Sequence, residues 1–168
     1  MIHFVEGDIL LSHAQVIAHG IAPHDHFDKG LALELRQRWP SLVRDYRHWA
    51  HDNSPESGTL WAWSGVDADG SVRGIVNLLT QEDLHRGPAG KPGKASLENV
   101  SRCLKELAHH VQSEGIHSLA LPRLATGVGG LEWAEVRPLV EKHLGDLDIP
   151  VVVYEVFRQG VEAEEPLG

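Results

Sequence analysis

The chain is poor in cysteine, methionine, aromatic rings and cations, and each shortage excludes something. Of its 168 residues only Cys103 is a cysteine, so no intramolecular disulfide can form, and a reducing cytoplasm would be tolerated. Fifteen Lys and Arg against twenty-four Asp and Glu give a formal charge of −9. That balance argues against broad electrostatic capture of nucleic acid, which needs clustered cations. It leaves room for an anionic ligand held by backbone N–H groups, whose donors do not depend on net charge. No apolar run approaches the eighteen or so residues of a membrane span. The opening Met1-Ile2-His3-Phe4-Val5-Glu6 lacks the basic and long apolar regions of a signal peptide and reads as a first strand, so a cytoplasmic location is expected. The nucleotide fingerprints G-x-G-x-x-G and G-K-[ST] are both missing.

What remains is ordinary globular material: 42% apolar and 23% charged residues, enough for one domain with its own core. Short apolar runs bounded by Gly, Asp, Asn or Pro predict strands at Ile2–Glu6, Val16–His19, Thr59–Ser64, Ile75–Leu79, Ser118–Pro122 and Val151–Phe157. A turn at 66-VDADG-70 joins the third and fourth. Helices are predicted at Gly30–Trp39, Ser41–His51, Ser96–Glu114 and Pro138–Leu144. The longest has Leu97, Val100, Leu104, Leu107, Ala108 and Val111 at helical spacing, Ser96 as N-cap and Gly115 as stop. Cys103 falls on its apolar face, where it reads as a core filler. Residues 132-EWAEV-136 read as a turn before a helix opened by Pro138. The five Trp are dispersed along the sequence and read as core, and a monomer is expected. The order, a hairpin-like centre between strand–helix–strand ends, predicts a three-layer α/β domain with ligands beyond the carboxyl ends of its strands.

Two loops leave strands at that end. The first, 20-GIAPHDHFDKG-30, is long for such a connection and carries His24, Asp25, His26 and Asp28, with His19 just before it. Adjacent His and Asp cannot easily converge on one ion and no second cluster completes a ligand set, so no metal is expected. The loop ends in Lys29-Gly30, where a helix N-terminus can approach a ligand closely. In the second, Leu119-Ala120-Leu121 runs into Thr126-Gly127-Val128-Gly129-Gly130. Such glycines can turn successive N–H groups inward as a nest for oxyanions, or simply serve as packing in a turn.

Together these segments resemble the macrodomain family: 7-GDIL-10 after the first strand, 17-IAHGIA-22 with 28-DKGLA-32 as the first ligand loop, and 121-LPRLATGVGGLEW-133 as the second. The resemblance runs in order to Phe157. It implies a three-layer α/β/α macrodomain with a mixed central sheet over residues 1–157, with 158–168 as a loose acidic tail. It is similar to the branch holding terminal ADP-ribose protein glycohydrolases and antitoxin-type enzymes that take ADP-ribose off DNA. That branch implies ADP-ribose as ligand, ADP-ribosylated protein or DNA as partner, and no cofactor. Asp8 and Ile9 would meet adenine, with Tyr154 or Phe157 near its face. His19, Gly20, Ile21, Lys29 and Gly30 would supply the first loop. Leu124, Ala125, Thr126, Gly127, Val128, Gly129 and Gly130 would hold the diphosphate and distal ribose.

The sequence also departs from the protein glycohydrolases of that branch, which use a Lys after the fourth strand and an Asp in the second loop. Antitoxin-type members also have Gly at the second place but keep a Lys near the first. Gln81 and Gly129 stand at those places, with Lys91 and Lys94 ten or more residues beyond the first. The acid/base candidates are then Asp25, Asp28 and His24 from the first loop, and Glu82 beside Gln81, which is itself counted among the catalytic candidates. Two expectations follow: a hydrolase of mono-ADP-ribose joined to acidic side chains or nucleobases, or a reader that binds ADP-ribose without cleaving it.

Overall fold

The computed structural model describes residues 1–83 and 92–167. Its strands are β1 (Ile2–Gly7), β2 (Val16–Gly20), β3 (Leu60–Val66), β4 (Val72–Leu78), β5 (Gln81–Asp83), β6 (Pro92–Ala95), β7 (Leu119–Pro122) and β8 (Val151–Phe157). Its helices are α1 (Gly30–Arg38), α2 (Pro40–Asn53), α3 (Leu97–Ser113) and α4 (Trp133–Leu144), with a short 3-10 turn at Ile9–Leu11. Six strands form one sheet in the order β1-β8-β7-β2-β4-β3. All neighbours are parallel except the β3–β4 hairpin, so the sheet is mixed as expected.

Strand periodicity divides the core in two. In β2, Val16 and Ala18 face one cluster with α3 and α4, while Ile17 faces another with α1 and α2. In β8, Val151 and Val153 take the first side and Val152 and Tyr154 the second. Each side chain alternates across the pleat, so the central strands need apolar residues at nearly every position and a helical layer on each face. The expected three-layer α/β/α architecture is what forms.

Helix α3 begins as its sequence requires: the Ser96 hydroxyl accepts the Asn99 amide at 3.0 Å, and Gly115 beyond its end has φ +62°. Cys103 is fully buried on its inner face, and burial pushes its thiol up to about 12, so it is inert core. Helix α4 differs from expectation. It starts at Trp133, five residues before Pro138, which sits inside it. Proline at this point forfeits one hydrogen bond, to Ala134, and the buried Val136, Val140 and Leu144 keep the helix on the sheet regardless.

Four of the five dispersed tryptophans gather on one face of the sheet, while Trp133 packs on the other. Trp49 and Trp61 stack with centroids 5.8 Å apart beside Tyr46, and Trp39 meets Trp63 edge-on, tying α2 to the sheet edge at β3. The C-terminal residues, expected to be loose, instead pass the carboxyl end of β1, where Asp8 donates its amide to the Val161 carbonyl at 2.7 Å. Glu165 accepts hydrogen bonds from the Ser12 hydroxyl at 2.6 Å, the Tyr154 hydroxyl at 2.7 Å and the His13 amide at 2.8 Å. Composition could not show this, because one carboxylate with three partners from distant sequence holds the segment down. No helix among the described residues is long and apolar enough to cross a membrane.

Candidate functional site

At the carboxyl ends of β2, β7 and β8 two clefts adjoin, sharing Gly30, Leu31, Pro122 and Arg123, so they make one elongated groove. One half lies between the two loops singled out in the sequence. The first loop contributes His19, Gly20, Asp25 and Lys29, and the second contributes Ala125, Gly127, Val128 and Gly129, with Gln81 between them. The other half is bordered by Ile9, Glu34, Tyr154 and Phe157.

The second loop is shaped by a tight turn. Gly130 donates to the Gly127 carbonyl at 3.0 Å and Leu131 to that of Ala125 at 3.0 Å, with Ala125 at φ +63° and Gly130 at φ +77°. Left-handed backbone at a residue with a Cβ is strained, and the surrounding turn must enforce it. The amides of Gly127, Val128 and Gly129 donate to no other described residue of the protein. Unpaired N–H groups in a row beside a cleft make an anion nest. A Cβ on Gly127 would meet nothing within 4 Å, so that position is open to the groove.

The first loop is held firmly. The Asp25 carboxylate accepts the Ala22 amide at 3.0 Å and the Phe27 amide at 2.8 Å, fixing Phe27 at φ +55° with its ring buried. Burial raises the Asp25 pKa above the ordinary carboxylate range. The Tyr46 hydroxyl donates to the Pro23 carbonyl at 2.6 Å, and Asp83 accepts the His24 amide at 2.9 Å and faces its Nδ1 at 2.7 Å.

Comparison with known proteins fits this geometry. The Macro domain model matches residues 76–140. Human ADP-ribose glycohydrolase OARD1 is 30% identical over 154 residues, covering 91% of this chain and 90% of that protein. The chain belongs to the macrodomain family. The macrodomain of Thermus aquaticus DarG superimposes with a TM-score of 0.78 at 27% identity, covering 92% of this chain and 98% of that one. A DNA ADP-ribosyl transferase-DNA ADP-ribosyl glycohydrolase fusion protein of Thermosipho africanus is 29% identical over 157 residues. That alignment takes in 89% of this chain, which spans only 40% of the fusion protein's length.

Within this macrodomain, eight of the expected binding residues line the loop half of the groove: His19, Gly20, Lys29, Gly30, Ala125, Gly127, Val128 and Gly129. Ile9, Tyr154 and Phe157 line the other half. Ile21 and Leu124 are fully buried core residues that support the loops from beneath. The Thr126 hydroxyl donates back to the Arg123 carbonyl at 2.9 Å. Asp8 borders neither half. It is buried, its carboxylate accepting the Leu10 amide at 3.0 Å and the Gly160 amide at 2.9 Å, and by capping the 3-10 turn it sets Ile9 at the groove. Among the lining residues that the sequence did not single out are Arg123, although inside the quoted motif, and the half-buried Glu34. Burial, and then the nearby Asp8 charge, raise the Glu34 pKa.

The acid/base candidates separate. Asp25 is at the groove with both oxygens engaged by the loop backbone. Asp28 is exposed and does not line it. His24 is engaged by Asp83, and Glu82 is turned to Ser57 and Asn99 at 2.9 and 3.1 Å. Gln81 is buried and lines the groove, but its Nε2 donates to the Gly93 carbonyl at 3.0 Å. Lys91 lies outside the described residues. Lys94 does not line the groove but lies across Gly130.

His19 carries a signal that sequence could not give. Its Nε2 is 2.7 Å from Asn77 Oδ1, while Asn77 Nδ2 donates to the Trp61 carbonyl at 3.1 Å. Asn77 Oδ1 is therefore an acceptor and His19 Nε2 carries the proton. Burial lowers the His19 pKa to about 4, keeping the ring neutral with Nδ1 bare.

Proposed function

We propose that the groove binds ADP-ribose, with the diphosphate on the amides of Gly127–Gly129 and adenine in the half bordered by Ile9, Tyr154 and Phe157. The row of undonated amides carries this reading, because it answers a diphosphate's need for several convergent N–H donors without requiring positive net charge. Lys29 and Arg123 add cations along the same groove. Phe157, 58% exposed at the end of β8, offers a stacking face, and Glu34 an acceptor for an exocyclic amino group.

The activity we infer is hydrolysis of mono-ADP-ribose from acidic side chains or nucleobases, a reading supported by relatives named as an ADP-ribose glycohydrolase and a DNA ADP-ribosyl glycohydrolase fusion. A water oxygen would bond to the distal C1″ as the bond from C1″ to the carrier breaks. The water's proton would pass through the diphosphate, to solvent when the carrier departs as a carboxylate or to the departing nitrogen when it is a nucleobase, which leaves neutral. The amides would hold the diphosphate's charge throughout, as preorganised donors do. A reader that never cleaves is the competing reading, favoured by Gln81 at the place of the branch's Lys and by Gly129 at the place of its protein glycohydrolases' Asp.

Incubation with a peptide ADP-ribosylated on Glu, and with thymidine-ADP-ribosylated DNA, separates the two. Release of free ADP-ribose from either supports the hydrolase. Tight ADP-ribose binding with no release from either makes the protein a reader.

A further inference from the structure

The two places where the chain differs from the branch's protein glycohydrolases meet in one structural unit. Gln81, at the place of the branch's Lys, donates its Nε2 to the Gly93 carbonyl and pairs in register with Ala95. Gly129, at the place of the protein glycohydrolases' Asp, accepts the Ala95 amide at 3.0 Å. The β5–β6 hairpin is therefore fastened to the glycine loop at one end, and through Asp83 to His24 of the first loop at the other. Between these fastenings β6 carries Lys94. Its stem lies so close over Gly130 that a Cβ there would sit 2.9 Å from Nζ and 3.2 Å from Cδ.

No carboxylate among the described residues pairs with Lys94. An ammonium is thus packed on a loop whose neighbouring amides also present positive ends, in a protein with an excess of carboxylates. Lys94 is exposed to solvent beside those amides, so both are available to the same anion. We propose that Lys94 is the cation of the diphosphate site, delivered by β6 to the rim of the glycine loop. Gln81 and Gly129 act as positioning residues by anchoring the strand that carries it. The inference rests on the ADP-ribose reading above and adds a residue to it.

The test is calorimetric titration of wild type, K94Q, K94R and the remote surface variant K142Q with ADP-ribose, and NMR titration of the same proteins with inorganic pyrophosphate. K94Q should lose about five- to tenfold in ADP-ribose affinity with a shallower dependence on salt, while K94R and K142Q stay within about twofold of wild type. K94Q at wild-type affinity, or K142Q falling as far as K94Q, overturns the assignment while leaving the ADP-ribose reading intact. Wild type that binds pyrophosphate in a Lys94-dependent way, but not ADP-ribose, keeps the cation and removes the nucleotide reading. Wild type that binds neither removes both.

Discussion

Restoring the missing acid at Gly129 should damage this macrodomain rather than improve it. A Cβ at position 129 would lie 2.6 Å from the Ala125 carbonyl oxygen and 3.0 Å from the Ala95 Cβ. The first is backbone held at φ +63° and the second belongs to a strand bonded to Gly129 itself, so neither can yield without moving the loop. Overpacking of this kind costs about 1–3 kcal/mol. Loss of the Ala95–Gly129 hydrogen bond adds about 0.5–1.5 kcal/mol. Gly129→Ala should therefore cost roughly 2–4 kcal/mol, a Tm lower by about 5–15 °C in a domain this size. Gly129→Asp should cost at least as much, with ADP-ribose affinity reduced because the amide row is displaced. Scanning calorimetry and ADP-ribose titration on both variants measure this. An Asp variant as stable as wild type that also cleaves faster would refute the reasoning. It would show that the loop relaxes freely and that Gly129 is no part of a fixed unit.

Two further outcomes follow from the same geometry. Gly127→Glu should leave Tm within a few degrees of wild type, since nothing lies within 4 Å of a Cβ there. Its carboxylate would enter the anion nest, and a like-charge clash of several kcal/mol predicts at least a hundredfold loss of ADP-ribose affinity by calorimetry. His19 predicts acid sensitivity. Its pKa is about 4 folded against 6.5 unfolded, so its stabilising contribution is present above pH 6.5 and is lost as pH falls towards 4. The difference of 2.5 units at 1.36 kcal/mol each is about 3 kcal/mol. Urea unfolding between pH 7 and pH 4 should be visibly flatter for His19→Gln than for wild type, and identical slopes would remove the buried neutral ring from the account.

Much of the fold was legible because its signals are local. Helix α3 announces itself through its apolar spacing, the Ser96 cap and the Gly115 stop, all decided within one or two turns of chain. The apolar strands and the β3–β4 turn were readable for the same reason. The start of α4 was misread because Pro138 is a strong local signal that sheet packing of Val136 and Val140 overrides. Strands β5 and β6 went unread because Gln81-Glu82-Asp83 and Pro92-Gly93-Lys94-Ala95 have poor strand character. Their pairing is set by partners elsewhere in the sequence, Gly129 and His24.

The sequence by itself determined the place of the glycine loop: a buried strand followed by closely spaced glycines allowed an anion nest at the end of a sheet, with turn packing as the alternative. Its resemblance to the branch also implied that Gln81 and Gly129 stand where the protein glycohydrolases have Lys and Asp. Only the tertiary structure shows what those residues touch. Hydrogen bonds from Gln81 to Gly93 and from Ala95 to Gly129 join positions twelve and thirty-four residues apart, and they bring Lys94 against Gly130. The same holds for Asp25, whose proximity in sequence to His24 and Asp28 suggested one chemical cluster. Burial and two backbone amides make it the clamp of the first loop, while Asp28 stays in solvent. Spacing along a chain tells which groups are available, but burial and hydrogen-bond partners, set by distant residues, decide which of them face the ligand.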